Sequence, residues 1–183
     1  DFFANEIIQK MALTGRRESI DSIIKKMPVR PQPNFAFKNN QNLKFKNVNN
    51  EWGFDLPTMS NGAAYGDLDN DGDLDLVINN VNDRAYLYQN NSNKKTKHNY
   101  IRLQFQGQKE NTFAIGTKVK LYVKDQIISQ ELIPTRGFQS SIDYTMSIGL
   151  GTHSIIDSML VVWPDNHQTK IDSIIVNKTM ILK

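Results

Sequence analysis

The chain has 183 residues, 39% hydrophobic and 22% charged, which suffices for one or two domains with a real core. It has no cysteine, so disulfides and thiol chemistry are excluded, and no apolar run nears the ~20 residues that span a bilayer. The net charge of +3 raises nucleic acid as a partner, but the basic residues are scattered. Their one tight cluster, Lys94-Lys95-Thr96-Lys97, reads as solvated linker, so no nucleic-acid partner is expected.

Residues 1–28 read as a helical segment. Phe2, Phe3, Ile7, Ile8 and Met11 recur at helical spacing, Thr14-Gly15 interrupts, and Ile20, Ile23, Ile24 and Met27 resume the stripe. Two short helices are expected, with their apolar face packed on the β structure beyond; a membrane-surface helix is the sharper alternative. The chain starts at Asp1, which reads as an excised portion of something longer or as a processed chain. Pro28, Pro31 and Pro33 then mark a linker.

Residues 34–92 turn β-rich. Phe35 and Phe37 alternate, Leu43, Phe45 and Val48 form a second run, and Trp52-Gly53-Phe54 closes it; Tyr86, Leu87 and Tyr88 end the segment. Four short strands with turns between them have the size of one propeller blade.

Within this segment, residues 67–75 read Asp-Leu-Asp-Asn-Asp-Gly-Asp-Leu-Asp, five carboxylates at alternate positions around one glycine. Two unit charges ~4 Å apart repel by roughly 4 kcal/mol at an effective dielectric near 20. A fold that gathers five of them needs a counter-charge, and a hard cation taking six to eight oxygens supplies it. In Ca2+ loops of the D-x-[DN]-x-[DN]-G type, alternate side chains point inward, glycine permits the sharp turn, and the next residue offers its backbone carbonyl. Here those positions are Asp67, Asp69, Asp71, Gly72 and Asp73. An EF-hand would need glutamate where Ile78 stands; the last acid instead arrives early, as Asp75, and β-rich text flanks the loop. The expectation is a Ca2+ loop between strands. The plainer alternative is an acidic surface hairpin, and Mg2+ fits less well because it keeps its own waters.

A polar linker covers Ser92 to Asn99, and residues 99–183 then show clean strand signals. Ile101, Leu103 and Phe105 alternate, as do Val119, Leu121 and Val123, with a turn at Lys124-Asp125-Gln126. Further strands are expected over 127–133, 146–150, 160–163, 171–176 and 180–182, giving an antiparallel β-sandwich or small barrel.

Two stretches resemble known families. Ser60-Asn-Gly-Ala-Ala-Tyr-Gly-Asp-Leu-Asp-Asn-Asp-Gly-Asp-Leu-Asp-Leu-Val77, followed by Tyr86-Leu-Tyr-Gln-Asn90, resembles an FG-GAP (VCBS) repeat, the blade of integrin-α-like β-propellers. The last segment is similar to an ASPIC/UnbV domain, named after cartilage acidic protein and its bacterial relatives. Its pieces are Asn99-Tyr-Ile-Arg-Leu-Gln-Phe-Gln-Gly107, Ala114-Ile-Gly-Thr-Lys-Val119, Arg136-Gly-Phe-Gln-Ser-Ser141, Ile148-Gly-Leu-Gly151 and Val161-Val-Trp-Pro-Asp165. The resemblance implies a secreted, periplasmic or cell-surface protein, Ca2+-stabilised and engaged in binding or adhesion. It also implies that Asp67, Asp69, Asp71 and Asp75 give side chains to the ion and Asp73 its carbonyl. Such propellers have several blades, whereas this chain has one acidic loop, so it reads as the C-terminal part of a larger propeller protein; the alternative is a blade resting on the ASPIC/UnbV domain and the N-terminal helices.

No catalytic pattern is evident: His98, His153 and His167 sit in polar linkers or turns, and neither HExxH nor G-x-S-x-G occurs. An enzyme is therefore not expected. The loop carrying Arg136, Phe138 and Gln139 suits a protein or glycan ligand; alternatively, Phe138 plugs the sandwich end and Arg136 pairs with an acid. The leading reading is a Ca2+-binding adhesion module, followed by a structural segment of a surface assembly and, distantly, a metal-dependent hydrolase.

Overall fold

The structure, a computed structural model, describes residues 7–183 apart from the Asn93 side chain. Phe2 and Phe3 of the expected helical stripe lie outside the described residues. Among the described residues the protein is mainly β, with several antiparallel sheets and no closed barrel. It forms two compact units, one ending at Met59 and one comprising Ser60–Lys183. Of the segment read over 34–92, residues 34–59 fall in the first unit and 60–92 in the second.

In the first unit, helix α1 (Gln9–Thr14) ends at Gly15, whose φ of 64° closes the turn onto the Met11 carbonyl. Helix α2 (Ile20–Lys26) starts at Ser19, whose hydroxyl accepts the Ser22 N–H at 3.3 Å. Lys26 Nζ bridges back to both Glu18 oxygens at 2.6 and 2.7 Å. Two helices are present as expected, but neither contains a buried residue; Leu13 is 86% exposed. Six and seven residues are too few turns to stabilise a helix by packing a continuous stripe.

Strand β1 (Gln32–Pro33) pairs with β4 (Pro57–Thr58), and β2 (Phe37–Asn39) pairs with β3 (Phe45–Asn47). The short helix α3 (Asn49–Trp52) follows β3, and its Asn49 side chain accepts the Ala36 N–H at 2.6 Å. Val48 is the buried hydrophobic of this unit among the described residues, while Phe35, Phe37 and Phe45 are exposed.

The second unit begins with β5 (Ser60–Gly66), β6 (Asp75–Asn80) and β7 (Tyr86–Tyr88), a three-stranded antiparallel sheet. The Phe-rich β2–β3 hairpin falls in the first unit and β5–β7 in the second.

Helix α4 (Ser92–Lys95) leads into the sandwich. One sheet has the order β10 (Gln126–Glu131), β9 (Lys118–Val123), β12 (Ile155–Val162), β13 (Gln168–Ile175); the other has β11 (Met146–Gly151), β8 (Asn99–Phe105), β14 (Lys178–Leu182). Period-two alternation turns Ile101, Leu103 and Phe105 of β8 into one core with Val119 and Leu121 of β9 and Met159 and Val161 of β12. Each fully buried Leu or Ile there contributes ~1.5–3 kcal/mol. Phe105 meets Trp163 edge-on at 6.0 Å. One pair departs from the antiparallel expectation: after β13 the chain turns at Asn177 (φ 59°) and crosses to the other sheet, so β14 runs parallel to β8.

Candidate metal centre

The aspartate loop spans the β5–β6 connection, and its shape follows from two left-handed residues. Asn70 (φ 59°) and Gly72 (φ 95°) fold the chain back on itself. Gly72 carries a second constraint: a Cβ there would meet the Tyr100 ring at 2.0 Å. The loop therefore lies directly on Tyr100, on the outward face of β8.

Asp67, Asp69 and Asp71 each place one ligand atom so that all three lie within 4.8 Å of one another. Asp67 Oδ2 accepts the Gly72 N–H at 3.2 Å and Arg102 Nη1 at 2.5 Å. Its Oδ1 is buried and has no hydrogen-bond partner, and the side chain is only 6% exposed. Asp69 Oδ2 accepts Gln89 Nε2 at 2.8 Å, and Asp71 Oδ1 accepts the Asp73 N–H at 3.2 Å.

The other two predicted acids have different surroundings. Asp75, 3% exposed at the start of β6, accepts the Leu68 N–H at 3.1 Å on one oxygen and the Asn90 N–H at 2.8 Å on the other. It clasps both ends of the loop to the segment that follows β7. Asp73 Oδ2 accepts the Ser92 hydroxyl at 3.1 Å. The structure thus brings three of the five aspartates together and gives the remaining two side chains hydrogen bonds to the surrounding chain.

Gln89, Asn90, Ser92, Tyr100 and Arg102 support the loop without having been singled out from the sequence. Their signals were weak: a polar run after β7, and two outward positions in the alternation of β8. Arg102 is fixed from behind by Thr179, its register partner on β14, whose Oγ1 accepts Arg102 Nε at 3.1 Å. The Arg102 guanidinium also lies 6.0 Å from the Tyr100 ring centroid.

The donor set fits a hard divalent cation. Oxygen donors converge from one loop, and a buried carboxylate oxygen lacks a donor, a situation that costs several kcal/mol when nothing compensates it. Arg102 supplies one positive charge against five carboxylates, so the loop retains strong net negative charge.

The expected ligand loop lies near the same hairpin. Arg136 Nε donates to the Tyr65 hydroxyl at 3.0 Å, so its partner is a phenol and not the acid expected in the alternative reading. Phe138 is 61% exposed and does not plug the sandwich; the buried side chains of both sheets close the core without it. Gln139 is exposed at φ 47°, and Gly62 of β5 sits so close beneath the loop that a Cβ would meet Ser140 Oγ at 2.6 Å. A shallow open depression lies alongside, lined by Tyr65, Leu74, Glu131, Arg136, Ile142 and Asp143.

A β-sandwich joined to a small sheet with an aspartate-rich loop is the class that fold and site define. Residues 107–183 match the family model described as ASPIC and UnbV, which agrees with the resemblance drawn for the last segment. The match begins just after β8. No curated protein matches the chain. No helix among the described residues is long and apolar enough to cross a membrane.

Proposed function

We propose that residues 60–183 form a Ca2+-stabilised, non-catalytic binding module of an exported or surface-exposed protein, built from an FG-GAP-like sheet and an ASPIC/UnbV domain. The observation that carries this is the buried, donor-less Oδ1 of Asp67 beside Asp69 and Asp71. Asp67, Asp69 and Asp71 would hold the ion by side-chain oxygens, with Asp73 and Asp75 completing or bracing the loop. The ion would supply charge compensation that locks the β5–β6 connection. Extracellular-type sites of this kind are filled at millimolar calcium, which favours an exported setting.

The binding surface we assign is the Arg136–Gln139 loop with its adjoining depression. An arginine, an exposed phenylalanine and an exposed amide together suit a glycan or an acidic protein segment. The histidines support a non-catalytic reading: His167 pairs with exposed Asp165, and His98 meets Thr96 in the linker.

Thermal melting in calcium and in chelator tests the metal assignment. Calcium at about one hundred times Kd should add ~2.7 kcal/mol of stability. Asp67→Ala or Asp71→Ala should abolish that increment while the sandwich still folds. Identical melts with and without chelator would refute the site.

A further inference from the structure

In each of the three grouped aspartates, one carboxylate oxygen is engaged by an N–H of the protein: Asp67 by Arg102 and Gly72, Asp69 by Gln89, and Asp71 by Asp73. At Asp67 one of these donors is a charged group, Arg102 on β8 of the sandwich. We propose that Arg102 is the positioning residue of the cation site, turning Asp67 Oδ1 toward the ion and restricting Asp67 to a single ligating oxygen. The inference rests on the Ca2+ reading above.

Three features make Arg102 suited to this. Asp67 Oδ2 already takes two donors, at 2.5 Å from Arg102 and 3.2 Å from Gly72, so Oδ1 alone is left to face a cation. The guanidinium cannot drift, because its Nε is tied to Thr179 and its plane neighbours Tyr100. It is also largely shielded, with 21% of its side chain exposed.

A guanidinium near a cation repels it, and that repulsion opposes the proposed role. Arg102 is paired to Asp67 at 2.5 Å, however, so the ion meets a nearly neutral pair rather than a bare positive charge. Losing the clamp instead releases a ligand. Removing partners that orient metal ligands costs 10–100-fold in affinity, so positioning outweighs repulsion.

Titration calorimetry with CaCl2 on the full chain tests this, alongside melting in chelator. Arg102→Ala should raise Kd by about 10–100-fold. Arg102→Lys retains charge without the fork and should fall between wild type and Arg102→Ala. Thr179→Val, at an exposed position, should weaken binding in the same direction by a smaller factor. An unchanged or tighter Kd in Arg102→Ala, even with a lowered melting temperature in chelator, would overturn the positioning role. If Arg102→Ala does not fold, unchanged Kd values in both other variants overturn it equally. Absence of calcium binding by the wild type would refute the site itself, an outcome distinct from wild-type binding that the variants leave untouched.

Discussion

Two residues of the loop, Asp75 and Gly72, are held by contacts that a substitution would disturb. Asp75 accepts an N–H on each oxygen while nearly fully buried, and an asparagine there would set its amide donor against a backbone donor. Asp75→Asn should therefore destabilise the protein by ~1–3 kcal/mol even in chelator, measured by denaturant unfolding. Gly72 answers to both a φ of 95° and the Tyr100 ring. Gly72→Ala should cost about 1–3 kcal/mol, and Gly72→Ala with Tyr100→Ala should recover the steric part only. The glycine and the alternate acids were legible from spacing, since the D-x-D-x-D-G pattern encodes its own turn. The partners were not, because Gln89 and Arg102 reach the loop through space from elements 20 and 32 residues distant from Asp69 and Asn70.

Among the elements, the sandwich strands were the most readable. Alternation in β8 and β9 names the buried face directly, and Lys124-Asp125 forms the β9–β10 turn where the polar triplet predicts it. Leu121→Ala, at a fully buried site, should cost about 2–5 kcal/mol in an equilibrium melt. The β12–β13 turn offers a pH marker. Hydrogen bonds from the His167 ring and then its backbone N–H hold the Asp165 carboxyl below its ordinary value of 3.8. A lowered folded value means a contribution present above 3.8 and lost as pH falls through the lower folded value. In an NMR titration, His167→Ala should move the Asp165 midpoint upward, toward 3.8. The parallel β8–β14 pair was hidden from sequence, since a strand's pattern tells which face is buried but not which neighbour it takes.

At the level of the molecule, the grouping of the small sheet with the sandwich was the least legible feature. Composition marks a polar linker over 92–99, and across it the aspartate loop lies on β8 through Tyr100 and Arg102. Contacts of that kind depend on outward-facing side chains, which hydrophobic periodicity ignores. Calcium should accordingly slow amide exchange in β5–β7 and β8 together while leaving α1 and α2 unchanged, as read by hydrogen–deuterium exchange.

A crystal of the protein grown in millimolar CaCl2 gives the decisive view. One calcium peak should sit among Asp67 Oδ1, Asp69 and Asp71, with oxygens about 2.3–2.6 Å away. Water alone at that point, with the three carboxylates splayed apart, would contradict the proposed metal centre.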